Sequence, residues 1–179
     1  RDLLAPEPRQ VGITIPEIMS VGNRVWRDAY ISGTINAPDD STPGIAGVTV
    51  NLYRDVDDNG IADGPAIATT ITDGGGYYLF SNIPYDSVDM DNNRYIIGVP
   101  ASNFSVGQPL ESLRSSTGTP SVTLYTNPPS NTTDSADDGI DPAVVGTEVF
   151  STKFTLQPGT EPLTEADLSA NDRDGPAGT

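Results

Sequence analysis

Residues 47–84 read GVTVNLYRDVDDNGIADGPAIATTITDGGGYYLFSNIP, and this stretch decides the fold. It opens with Val48, Val50 and Leu52 alternating with Thr49, Asn51 and Tyr53, a period of two that lines the aliphatics along one face of a sheet. An acidic loop follows from Asp55 to Asp63. Two further β-rich runs come next, residues 66–72 and 77–80, with Gly74, Gly75 and Gly76 as the turn between them. Strand, carboxylate loop, strand, glycine turn, strand predicts an all-β antiparallel β-sandwich with an ion held at one end.

Working outward, residues 21–26 (VGNRVW) start the domain proper, and Trp26 is expected to pack in the core or lid one sandwich edge. Residues 1–20 read as an N-terminal extension, with Pro6 and Pro8 keeping the first residues extended. Within it Val11, Ile13 and Ile15 alternate with Gly12 and Thr14 until Pro16 stops the run. Such a strand has one apolar face and needs a sheet to join. Downstream, residues 94–99 (RYIIGV) form a strand after an acidic loop at 86–93. Residues 108–115 allow one helical turn, and 121–125 are β-like. Residues 148–156 are the last clear strand, with Phe150, Phe154 and Leu156 on its buried face. The sandwich is expected over residues 21–162 and a polar tail over 163–179.

Composition narrows the function classes. The 179 residues are only 35% hydrophobic and include 18 glycines and 16 prolines, as short strands joined by many turns require. Nine basic against 25 acidic residues give a net charge of −16, which argues against a nucleic-acid partner. No run approaches the ~20 apolar residues of a membrane span, so no membrane insertion is expected. The first ten residues lack a signal peptide's apolar core, so an export signal is expected to be removed already or to lie elsewhere. Cysteine and histidine are absent, which removes disulfides, thiol nucleophiles and the usual general base. No carboxylate pair stands out as an acid hydrolase's would, and an enzyme is not expected.

The loop carries the chemistry. Asp55, Asp57, Asn59 and Asp63 fall at positions 1, 3, 5 and 9 of a calcium loop, with Gly60 at the bend and the Ile61 carbonyl at position 7. Ala66 stands where an EF-hand places its bidentate glutamate, so further ligands must come from elsewhere: Asp58, Asp73, Asp86 or another acidic loop. A plain turn built from the same residue types is the alternative. Asp134, Asp137, Asp138 and Asp141 (DSADDGID) form a possible second metal site, and Asp86, Asp89 and Asp91 a weaker third cluster. The expected cofactor is structural Ca2+. Two glycosylation triplets, at Asn103 and Asn131, complete the candidate sites.

VGNRVWRD, PGIAGVTVNLY, TDGGGYYLFSNIP, DDGID and FTLQPGTEP, in this order over residues 21–162, resemble the SdrD B-like repeats of bacterial surface adhesins, relatives of CnaB domains. The resemblance implies an extracellular, immunoglobulin-like β-sandwich that binds calcium and serves as a spacer or stalk module, at the cell surface and in tandem. Two departures bear on chemistry. The loop after the tryptophan strand keeps only Asp28, Asp39 and Asp40 and lacks the central Asn-Gly. The Lys–Asn isopeptide bond of many CnaB relatives is not expected, because Lys153 is the single lysine and is read as facing away from Phe150 and Phe154. A third departure is that the apolar strand such repeats carry after FTLxPG is absent, while a spare strand precedes residue 21.

The leading expectation is therefore a subunit of an extracellular filament, assembled head-to-tail with copies of itself. Val11, Ile13 and Ile15 would form a donor strand filling the neighbour's empty position, contributing on the order of 5 kcal/mol before entropy costs. The alternative is a spacer or ligand-binding module of a larger multidomain adhesin, in which the spare strand belongs to the preceding repeat.

Overall fold

The computed structural model describes residues 17–28, 44–114, 139–140 and 146–159. The donor strand at Val11, Ile13 and Ile15, the cluster of Asp134, Asp137, Asp138 and Asp141, the β-like run at 121–125, the Asn131 triplet and the tail at 163–179 lie outside the described residues.

The described residues form eight strands: β1 (Ile18–Arg24), β2 (Thr49–Arg54), β3 (Asp63–Ile71), β4 (Tyr77–Pro84), β5 (Arg94–Val99), β6 (Gly139–Ile140), β7 (Val149–Ser151) and β8 (Phe154–Thr155). Two 3₁₀ turns, Met90–Asn93 and Ala101–Phe104, flank β5. All pairings are antiparallel. One sheet is the pair β1–β4; the other runs β3-β2-β5-β7-β6, with β8 also on β5. The result is an all-β sandwich, as the alternation in residues 48–53 implies.

The core is the product of that alternation. Val48, Val50 and Leu52 are each 0% exposed and meet Phe80, Ile83 and Tyr95; full burial of such a side chain contributes about 1.5–3 kcal/mol. Phe80 and Ile83 are three residues apart, yet both face inward. A bulge between Met19 and Val21 of β1 sets Ser81 and Asn82 against a single residue, and Asn82 takes φ 60 to make it. That bulge carries β4 to Pro84, beyond the end expected at Phe80. Residues 108–114 hold no helix; residues 109–112 form turns. Trp26 is half-buried just past β1.

Two further features differ from the sequence reading. First, β1 starts at Ile18, inside the stretch read as an extension ending at residue 20. Second, residues 148–156 do not form one strand. Phe150 pairs with Gly98 and Phe154 with Tyr95, so four residues on one side match three on the other. The extra residue turns Phe150 to the outer face against Tyr53, with ring centroids 5.8 Å apart. Phe154 faces inward beside Tyr95, at 6.1 Å.

Asn103 is built into the scaffold. β5 ends at Val99, and the Asn103 side chain takes the next rung of the ladder beside β2. Its Oδ1 accepts the Thr49 N–H at 2.9 Å, and its Nδ2 donates to the carbonyls of Thr49 (2.9 Å) and Pro100 (3.2 Å). The residue is 3% exposed, so its amide is spent and the first glycosylation triplet is closed in the folded chain.

The chain's path fixes which end holds the acidic loop. Tyr85 N donates to the Glu17 carbonyl and Leu156 N to the Asn93 carbonyl, both at 2.9–3.0 Å. Tyr85 and Asn93 bracket the β4–β5 connection, which closes on itself where Asp86 N donates to Asn93 Oδ1. Asp55 N donates to the Arg94 carbonyl at 3.1 Å. Entry at Glu17, exit at Leu156 and the acidic loop therefore share one end of the sandwich.

Candidate metal centre

The Asp55 loop folds by turning its own N–H groups onto its carboxylates. Asp55 is 0% exposed; its Oδ1 accepts from Asn59 N and its Oδ2 from Gly60 N, each at 3.0 Å. Asp57 Oδ2 accepts from Asn59 Nδ2 at 2.8 Å, and Asn59 Oδ1 from Ile61 N at 2.7 Å. Asp63, the first residue of β3, closes the loop by accepting Val56 N at 2.7 Å. Gly60 sits at φ 78, where a side chain would be strained though the space is open. The main chain thus curls with alternate residues pointing inward.

The curl brings Asp55, Asp57 and Asp63 together: each offers a carboxylate oxygen, and these lie within 4.8 Å of one another. A calcium ion bonded at about 2.3–2.6 Å leaves any two of its oxygens at most about 5 Å apart, so the residues fit such an ion. Each oxygen that accepts one N–H keeps a second lone pair, and the three negative charges favour a hard divalent cation. Asn59 and Ile61 belong to the same curl.

Of the further ligands considered from sequence, Asp58, Asp73 and Asp86 do not converge here. Asp58 points away, to Lys153 Nζ at 2.8 Å and Arg94 Nε at 3.5 Å. The hydrogen bond from Lys153, with the charges of Arg94 and Lys153, holds its carboxyl below the usual range. Asp73 accepts Gly75 N and Tyr77 N in the β3–β4 turn at the opposite end. Asp86 is spent on Val88 N, Asp89 N and Asn92 Nδ2, and the backbone bond from Asp89 leads the causes that lower its pKa. Asp89 caps the first 3₁₀ turn through Asp91 N, and Asp91 pairs with Arg94 Nη2 at 2.7 Å. The third acidic cluster is thus loop architecture.

Lys153 and Glu148 have roles the sequence did not announce. The Lys153 ammonium also donates to the Asp58 carbonyl at 2.7 Å; nothing in its spacing pointed to a loop 95 residues earlier. On the outer face Thr69 Oγ1 donates to Asn51 Oδ1 (2.8 Å), Asn51 Nδ2 to Tyr53 Oη (3.0 Å) and Tyr53 Oη to Glu148 Oε1 (2.7 Å). Burial, then the bond to Glu148, pushes the Tyr53 phenol up. Gly98 leaves the room for this row: a Cβ there would stand 2.8 Å from both Tyr53 and Glu148. No described helix is long and apolar enough to cross a membrane.

Comparison with known proteins agrees with the sandwich. Colossin-B of Dictyostelium discoideum is 35% identical over 85 residues, 44% of this chain and 2% of that protein. The match therefore spans a small part of that relative's length. No solved structure matches the chain. The sequence profile of the SdrD B-like domain matches residues 19–107, from β1 through the second 3₁₀ turn and with the whole Asp55 loop inside it. Over residues 19–107 the chain is an SdrD B-like domain, an adhesin-type repeat module of the immunoglobulin-like β-sandwich class.

Proposed function

We propose that this domain is a calcium-stiffened structural module of an extracellular surface protein. The observation that carries the reading is the carboxylate cage of Asp55, Asp57 and Asp63, set at the end where the chain enters and leaves the sandwich. Without an ion the three charges repel and loosen that end; with Ca2+ they become cross-links between the start of the loop and the first residue of β3. Thermal unfolding tests it. At a calcium concentration 100-fold above Kd the native state gains about 2.7 kcal/mol over the chelated protein, a rise of several degrees in Tm. Asp57→Ala removes an exposed ligand and reduces the rise. Equal Tm in calcium and chelator overturns the assignment.

A second reading, head-to-tail polymerisation with copies of itself by strand donation, is favoured by the β1–β4 sheet. Among the described residues it has only two strands, a small sheet that the apolar run Val11, Ile13 and Ile15 would extend. Light scattering and electron microscopy of the chain with and without residues 1–16 decide it, since that deletion spares β1. Long fibres from the intact chain alone support donation; monomers from both leave the spacer module of a larger surface protein.

A further inference from the structure

Lys153 lies in the gap between β7 and β8, and its ammonium grips two acceptors of one residue across the sandwich end. It donates to the Asp58 carbonyl at 2.7 Å and to Asp58 Oδ1 at 2.8 Å. Arg94, the first residue of β5, adds its Nε to the same carboxylate at 3.5 Å. Asp58 takes φ 62, a left-handed conformation that aspartate adopts more readily than most non-glycine residues. We infer that Lys153 is a latch joining the acidic loop to β7 and β8, so that ion binding in the loop and seating of those two strands reinforce one another.

Three observations support the latch. The bond to a backbone carbonyl fixes the main chain of the loop as well as its side chain. With Asp58 turned outward, its neighbours Asp57 and Asn59 turn into the curl, the arrangement an ion needs. Lys153 and Arg94 also offset the Asp58 charge from outside, easing repulsion in a loop with four aspartates without occupying the cage. Coupling is reciprocal: if the latch helps the loop close, closing the loop helps hold β7–β8. The Lys153 and Asp58 side chains are 43% and 50% exposed, so solvent screens the pair and the effect is about two- to five-fold.

The coupling to an ion rests on the calcium reading above, whereas the latch itself does not. Hydrogen–deuterium exchange of the full chain separates them. In chelator, the amides of residues 56–61 exchange about two- to five-fold faster in Lys153→Met than in the wild type, and Lys153→Arg restores most of the protection. Unchanged exchange overturns the latch. In calcium, wild-type protection rises both in the loop and at residues 149–155. Lys153→Met keeps the first rise and loses the second; if it keeps both, the coupling does not run through Lys153. If calcium protects nothing in the wild type, the ion reading and the coupling fall, and the chelator comparison alone decides the latch. Should Lys153→Met fold poorly, Asp58→Asn, whose residue tolerates positive φ, removes the charge pair in its place.

Discussion

Replacing Asn103 by alanine tests whether one side chain completes a sheet. Its amide supplies three hydrogen bonds, to Thr49 N, Thr49 O and Pro100 O, from a residue that is 3% exposed. Truncation leaves the N–H and the carbonyl of Thr49 facing a gap that water enters poorly. Each orphaned group costs about 1–3 kcal/mol. The site is only partly buried on the Thr49 side, so the two together come to about 2–4 kcal/mol. Asn103→Asp is at least as damaging, because it sets a carboxylate oxygen against the carbonyls of Thr49 and Pro100. Ser105→Ala destroys the same glycosylation triplet without touching the ladder, and stays within about 0.5 kcal/mol of the wild type. Urea unfolding, read as a change in midpoint at constant slope, measures all three. If Asn103→Ala lies within about 0.5 kcal/mol of Ser105→Ala, the amide does not act as a strand surrogate and the argument fails.

Gly76→Ala costs at least about 3 kcal/mol, because its Cβ overlaps the Val25 carbonyl and stands 2.6 Å from Gly44 Cα, at φ +83. Gly74→Ala, in the same turn with nothing within 4 Å, stays within about 0.5 kcal/mol, and equal losses in a melting experiment would refute the distinction. The Asp58 carboxyl is held below its ordinary 3.8, so its folded form releases the proton more readily than the unfolded one. Its contribution is therefore fully present above about pH 4 and is lost as pH falls through the lowered value. Acid titration followed by NMR of the Asp58 side chain and the Lys153 region shows joint release below the usual carboxylate range; release at or above the ordinary value contradicts it.

Much of the fold was legible because its decisive residues act locally. Val48, Val50 and Leu52 alternate, and the structure buries all three. The spacing of Asp55, Asp57, Gly60 and Asp63 dictates a curl through short-range N–H···O bonds, and that curl forms. The failures share one physical origin, the register against a partner. Phe150 and Phe154 have the same parity in sequence, and only pairing with Gly98 and Tyr95 reveals the extra residue that sends them to opposite faces. The run read over residues 77–80 continues to Pro84 because the bulge at Asn82 resets the phase and turns Ile83 inward as well as Phe80. Asn103 read as a surface triplet because nothing near it announces that β5 stops one rung short. Lys153 was read as a failed crosslinking residue, and its actual partner becomes visible only when the sandwich brings the two loops together.

The shared end of entry and exit bears on how the domain answers to tension. A pull applied between Glu17 and Leu156 meets β1 and β8 at the rungs nearest that end, first Glu17–Tyr85 and Asn93–Leu156. Those rungs open one after another, like a zip, instead of resisting together as strands drawn lengthwise past each other do. Resistance then falls to whatever fastens the starting end, and the fasteners there are the aspartate curl and the ammonium of Lys153. If the curl holds calcium as proposed, a rise in calcium sets the force at which the sandwich begins to open while leaving its folded shape unchanged.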